Sequence, residues 1–312
     1  TAPSRRRTTE PMAPSPAFPE GCSAALSLTF DVDAETGVLM PKPTGWRDAM
    51  AMTHQAFGPK VGVPRIMRIL REENVKGTFF VPGWTARRYP ELVASILEEG
   101  HEIGAHSDLH YPAPEMSPDA ERRDFERALT TLRDQGAPVV GHRAAWWQAS
   151  WFTLDLLAEY GFQYDSSLMD DDRPYVLEVN GHRMAELPPH WSLDDWEQYV
   201  YLPGLSGDGR IATPREVAEL WTAELDALAA VGAIDGGGCA RRRWRSRSAA
   251  RPARSPRSAN PAFPFPSGSR RCWICRILTR RGTAIATGLP KSLRRSRSSP
   301  APAARSRATL RC

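Results

Sequence analysis

Acidic residues all but vanish after Ile234, histidine is absent beyond His190, and no apolar run approaches the length of a membrane span. Each absence excludes something. A bilayer-crossing helix needs roughly 20 consecutive apolar residues, so no transmembrane helix is expected. The N-terminus has no basic segment followed by an apolar one, so no signal peptide is visible and the expected compartment is the cytoplasm. The five cysteines are too few and too lopsided for a disulfide framework: Cys22 stands alone in the first part, and Cys239, Cys272, Cys275 and Cys312 lie in the last quarter. Cys272 and Cys275 are a weak zinc or redox signal, with no second ligand pair at a suitable spacing. No repeat of roughly 20–50 residues is present, which excludes a solenoid or propeller.

What is there divides in two. The net charge of +5 combines −14 over residues 1–234, with 21 Lys and Arg against 35 Asp and Glu, and +19 over residues 235–312, with 20 against one. At 312 residues and 41% hydrophobic content, the chain is long enough for one large α/β domain or two smaller ones. Residues 1–20, rich in Pro, Ser and Arg, read as a disordered leader in which Met12 is a natural start. Residues 21–234 read as the folded domain.

Along that domain, strands alternate with amphipathic helices. An apolar run over 24–30 reads as a buried strand that delivers Asp31 and Asp33 at its end. Residues 34–59 are punctuated by Gly37, Pro41, Pro43, Gly45, Gly58 and Pro59, and read as a loop. Val63, Ile66, Met67, Ile69 and Leu70 have helical spacing, and residues 75–81 are rich in β formers. Leu92, Val93, Ile96 and Leu97 form the apolar face of a second helix with Gly100 as its C-cap, and a short strand over 101–105 ends at His106. Ser117-Pro118 opens a helix that reaches Gly136. Residues 138–143 read as a strand, 152–160 as a helix and 162–166 as a strand. Thr213-Pro214-Arg215-Glu216 is a capping box. The alternation implies a parallel β/α architecture, and polar groups at the ends of several different strands favour a barrel, where strand C-termini converge on one face.

Two imidazoles four positions apart, His106 and His110, can face one way across a helical turn and clamp a metal ion. Two histidines and a carboxylate suit zinc, and also iron or another first-row metal. With Asp33 as the carboxylate ligand, Asp31, on the same side of an extended strand end, is placed to take a proton from the attacking water.

Thr29-Phe30-Asp31-Val32-Asp33, His106-Ser107-Asp108-Leu109-His110 and Gly141-His142-Arg143-Ala144-Ala145-Trp146 resemble the first three motifs of the polysaccharide deacetylase family, also called the NodB homology or carbohydrate esterase 4 family. The resemblance covers roughly residues 24–234. D-V-D in place of adjacent aspartates is similar to the peptidoglycan deacetylase-like and imidase-like branch, and the intact metal motifs argue against the allantoinase-like branch. The resemblance implies a distorted (β/α) barrel, incomplete at its C-terminal end, with one divalent metal ion, zinc above others. It implies Asp31 as catalytic base, Asp33, His106 and His110 as metal ligands, and Arg143 as the group that orients the base. Ala145 stands where the family has a proline. The stretch Leu187 to Trp196 resembles the fourth motif, so Trp146 and Trp191 are candidate walls of a substrate groove and Asp194 or Asp195 a candidate brace for Arg143. Trp147, Trp151 and Trp196 are read first as packing residues. His101 and His142 are expected as hydrogen-bonded core residues, and His54 and His182 as loop residues.

In the family a last apolar strand ends in a histidine that protonates the departing amine; this chain has none. Residues 235–312 are instead a basic Arg-, Ser-, Pro- and Ala-rich stretch, read either as a polyanion-binding tail, as a solvated extension, or, the favoured reading, as out-of-frame translation of a GC-rich gene. The expected function is metal-dependent removal of an acyl group, acetyl above others, from an N-acetylated carbohydrate such as peptidoglycan or chitin-type oligomers. Hydrolysis of a cyclic imide or small amide is the enzyme alternative, and an inactive barrel binding polyanions is the alternative of another class. The expected partner is the acylated substrate, with nucleic acid a partner only for a genuine basic tail; a homo-oligomer is compatible with the sequence.

Overall fold

The computed structural model describes residues 25–40, 44–201, 211–231 and 234–235. The expected leader and basic tail, with all five cysteines, lie outside the described residues. In chain order the elements are β1 (Ala25–Leu26), β2 (Thr29–Asp31), α1 (Thr36–Leu39), α2 (Ala49–Phe57), α3 (Val63–Glu72), β3 (Thr78–Val81), α4 (Gly83–Arg88), α5 (Pro90–Glu98), β4 (Glu102–Ala105), α6 (Pro118–Asp134), β5 (Gly141–His142), α7 (Trp151–Glu159), β6 (Tyr164–Asp165), β7 (Tyr175–Val179), β8 (His182–Glu186), α8 (Trp196–Tyr199), α9 (Pro214–Val231) and β9 (Ile234–Asp235). No helix among them is long and apolar enough to cross a membrane.

Seven strands form one sheet in the order β2-β3-β4-β5-β6-β8-β7, parallel except for the antiparallel β7–β8 pair, and β1 pairs with β9 in parallel, Ala25 against Ile234. The architecture is a (β/α) barrel whose sheet stays open. Phe79, Phe80 and Val81 on β3 are fully buried, as a central strand covered on both faces requires. Ile96, Leu132, Leu156 and Leu157, from helices α5, α6 and α7, are buried to the same degree. Tight strand packing shows at Gly141, where a Cβ would meet the Tyr164 ring at 1.9 Å.

The local signals act as written. Ser117 accepts the Ala120 N–H at 3.3 Å, and Thr213 and Glu216 exchange the two bonds of a capping box at 2.8 and 3.3 Å. Gly100, in the left-handed region at φ 71°, ends the α5 turn by donating to the Leu97 carbonyl. Two departures from expectation lie outside the site. The stretch read as a loop holds the nine-residue α2, capped by Asp48 accepting the Ala51 N–H at 3.0 Å, because the twelve residues between Gly45 and Gly58 are free of Gly and Pro. The β7–β8 hairpin, not anticipated, turns on Asn180-Gly181 with φ of 52° and 79°; positive φ at both central residues is the geometry whose twist matches paired strands.

Candidate metal centre

Strand β2 ends at Asp31, and the next N–H, of Val32, is still tied to the Phe80 carbonyl at 2.9 Å. Asp33 follows as the chain leaves the sheet, its own carbonyl accepting the hydroxyls of Thr36 at 2.6 Å and Thr85 at 3.0 Å. Strand β4 delivers His106 and β5 delivers Arg143, each as the residue after the last paired one. Parallel strands of one sheet thus aim all of these side chains at one end of the domain.

The helical turn expected between His106 and His110 does not form. Residues 106–110 are a loop with Ser107 at φ 57° and His110 at φ 61°. The Ser107 hydroxyl takes the His110 N–H at 2.8 Å, a local side-chain bond that competes with the helical one. Loop curvature, rather than helical pitch, brings the two rings to 5.0 Å between centroids.

Asp33 Oδ1 lies 3.3 Å from His106 Nε2 and Asp33 Oδ2 lies 3.3 Å from His110 Nε2, and the three residues place ligand atoms within 4.8 Å of one another. His106 Nδ1 sits 2.7 Å from the Arg143 carbonyl, which only accepts, so Nδ1 carries the ring proton and the Nε2 lone pair points at the carboxylate. Two electron-rich atoms at that distance need a proton or a cation between them. Asp33 Oδ1, His106 Nε2 and His110 Nδ1 are buried with no hydrogen-bond partner. Partnerless buried polar atoms are rare, and the facing pair of Asp33 Oδ1 and His106 Nε2, with His110 Nε2 on the other carboxylate oxygen, fits a divalent ion.

The electrostatics of Asp33 and His110 agree with that fit. Burial would push the Asp33 carboxyl up, but the imidazoles of His110 and His106 and the Arg143 guanidinium outweigh it and hold it at about 2. Burial pushes His110 down to about 4, against the pull of Asp33, so its imidazole is neutral as a ligand must be. Burial works against protonating His106 as well, and the carboxylates of Asp31 and Asp33 overcome it.

Beside the cluster, buried Arg143 donates from Nη1 to Asp31 Oδ1 at 2.7 Å. Its Nε donates to the Ser166 carbonyl at 3.1 Å, and its Nη2 to Ser166 Oγ at 2.9 Å and to Thr29 Oγ1 at 3.1 Å. The brace on Arg143 is therefore Ser166 and Thr29, whereas Asp194 accepts the Trp196 N–H at 3.1 Å. Ser166 escaped the sequence reading, although it ends a strand just as the other site residues do. Burial pushes Asp194 up to about 7, with Asp31 and Asp195 adding to it against the Trp196 N–H and Arg143. Asp195 is also raised, by burial first and then by the carboxylates of Asp31 and Asp33.

Trp146 lies against His110 at 5.1 Å between ring centroids, and its indole N–H donates to the His110 carbonyl at 3.2 Å. Trp196 packs edge-on against Trp146 at 5.8 Å, and the exposed Trp191 packs on Trp147 at 4.4 Å. The remaining histidines divide. His101 accepts the Gly77 N–H at 3.2 Å and His142 bonds Asp165 at 2.7 Å, both buried as expected; His54 lies on α2 and His182 opens β8 rather than lying in loops.

Together these features define a class, a (β/α) barrel with a two-histidine, one-carboxylate cluster at its strand C-termini. Residues 47–164 match the family model described as polysaccharide deacetylase. A crystal structure from Mycobacterium smegmatis, assigned to the polysaccharide deacetylases, is 47% identical with a TM-score of 0.70, covering 72% of this chain and 79% of that one. The chain belongs to the polysaccharide deacetylase family. A peptidoglycan deacetylase of Helicobacter pylori is 26% identical over 54% of this chain and 67% of its own length. A peptidoglycan-N-acetylglucosamine deacetylase of Listeria monocytogenes is 31% identical over 54% of this chain and 33% of its own length.

Proposed function

We propose that residues 21–234 form a hydrolase domain that removes acetyl groups from N-acetylated carbohydrate, of the peptidoglycan or chitin-oligomer kind, with one divalent ion, zinc, held by Asp33, His106 and His110. The observation that carries this is the cluster of Asp33, His106 and His110, in which the facing Asp33 Oδ1 and His106 Nε2 are buried and partnerless, beside the Arg143-held carboxylate of Asp31. Deacetylase names among the relatives, two of them for peptidoglycan, support the substrate class.

The ion, when bound, supplies Lewis-acid polarisation of the acyl oxygen and acidifies water. Asp31 takes the proton of the water that attacks the acyl carbon. Arg143 keeps Asp31 aimed, because its planar fork is held at the same time by Ser166 and Thr29. Trp146, anchored on the His110 carbonyl, forms one wall for the sugar. Trp191 is exposed where it packs on Trp147, the residue after Trp146, and Asp194 and Asp195, a few residues further along the chain, serve as polar contacts to the substrate. The amide bond breaks as the amine leaves, and the amine needs a proton. No histidine follows His190 to give one, so this chain turns over more slowly than a relative that carries the family's closing histidine.

Release of acetate from acetylated glucosamine oligomers by the zinc-loaded chain tests the reading. Slow release that Asp31→Asn abolishes supports it; no release, or release unchanged in Asp31→Asn, contradicts it.

A further inference from the structure

The loop carrying His106 and His110 is pinned through its backbone by groups the reaction does not use. The Asp124 carboxylate, on α6, accepts the N–H groups of Asp108 at 2.7 Å and of Leu109 at 3.2 Å. The loop's carbonyls are tied on the other side, where the N–H groups of Gly83 and Trp84, at the start of α4, donate to Ser107 and Asp108, both at 3.0 Å. Asp108 itself is fully buried and takes a two-pronged bond from Arg87, Nη1 to Oδ1 at 2.6 Å and Nη2 to Oδ2 at 2.9 Å. Arg87 Nη1 also reaches Thr131 on α6 at 2.9 Å, and Arg127 lies 3.7 Å from Asp108. The fit is close enough that a Cβ on Gly83 would meet Asp108 Oδ1 at 2.3 Å.

These bonds explain how two residues with side chains, Ser107 and His110, stay in the left-handed region, which costs of order 1–3 kcal/mol at each such position unless the surroundings impose it. Outer partners of metal ligands commonly matter about 10–100-fold in affinity, because a ligand set that wanders loses its ion. We propose that Asp124 and the Arg87–Asp108 pair are positioning residues for the metal loop, setting its affinity by holding His106 and His110 in register with Asp33. This inference rests on the metal reading above.

The test is zinc affinity of the full chain by competition with a chromophoric chelator, with the melting temperature of each metal-free variant recorded alongside. Asp124→Ala is expected to bind about 10–100-fold more weakly than wild type. Asp124→Asn, nearly isosteric and keeping one acceptor oxygen, is expected to lose less, and carries the test if Asp124→Ala does not fold. Arg87→Gln should weaken binding, and Arg87→Lys should restore part of it, since an ammonium keeps the charge but not the fork. Arg122→Gln is the control: it breaks an equally two-pronged pair on α6, to Glu159 at 2.8 and 2.7 Å, that faces α7. It should leave zinc affinity unchanged. Undiminished affinity in both Asp124 variants and in Arg87→Gln, or an equal loss in Arg122→Gln, overturns the inference while wild type binds zinc. A wild-type chain that takes up no zinc overturns the metal reading and this inference with it.

Discussion

The backbone carbonyl of Arg143 accepts the Nδ1 proton of His106 at 2.7 Å, while the guanidinium of the same residue holds Asp31 at 2.7 Å. One residue thus fixes the tautomer of a metal ligand and the orientation of the base. Main chain and side chain do separate work there, so substitution separates the two: a side-chain change leaves the carbonyl and its effect on His106 in place.

Arg143→Lys is therefore expected to keep zinc affinity within a few-fold of wild type and to lower kcat, losing part of the roughly 10²–10⁴-fold that general-base catalysis contributes. Steady-state kinetics and chelator competition on the same preparation check it. Equal losses in both would show that the guanidinium, rather than the carbonyl, organises the ligands.

Ser166 Oγ accepts from Arg143 at 2.9 Å and donates to the Leu187 carbonyl at 2.8 Å, with Ser166 buried. Ser166→Ala leaves both partners short of a bond, at a cost of about 1–3 kcal/mol for groups left unpaired. Urea unfolding should show that loss, and kcat should fall with little change in KM, because the base is loosened rather than the groove.

Glu186 is fully buried on β8 opposite Asp165 on β6, and accepts the N–H groups of Ser167 at 2.9 Å and Leu168 at 3.0 Å. Burial first, and then Asp165, raise its carboxyl well above the usual 4.5. The folded chain therefore keeps a proton that the unfolded chain releases near 4.5, so this group's contribution falls as pH rises from there. Glu186→Gln keeps an acceptor for both N–H groups and has no proton to lose. Its melting temperature is expected to match wild type near pH 4.5 and to exceed it at roughly pH 8.5, where the wild-type group is under pressure to ionise. Parallel melting curves across that range would contradict this.

How much of this was legible in the chain depends on the range of the cause. Helices α3, α5 and α6 were readable because period and caps are local: Val63 to Leu70 keep their spacing, and Ser117 and Gly100 mark boundaries with their own backbone bonds. The β7–β8 hairpin has its turn signal in Asn180-Gly181, but the flanking Tyr175 to Val179 lacks the clean apolar alternation that marks a strand. The helical turn that the spacing of His106 and His110 predicts does not form, because the Ser107 side chain, equally local, takes the bond a helix would use. The brace on Arg143 was beyond any pattern. Ser166 lies 23 residues away, and only strands β5 and β6 lying side by side bring it to the guanidinium, whereas the acidic pair at Asp194 and Asp195 looked the better partner on charge alone.

The central claim is that Asp33, His106 and His110 together hold a single ion. Elemental analysis of the full chain, loaded with zinc and dialysed, measures this directly in wild type, in Asp33→Ala and in His106→Ala paired with His110→Ala. About one zinc per chain in wild type, lost in the variants while their circular dichroism remains that of a folded α/β chain, is the expected result for a three-ligand site. A folded wild-type chain without zinc, or variants that retain it in full, would contradict the account.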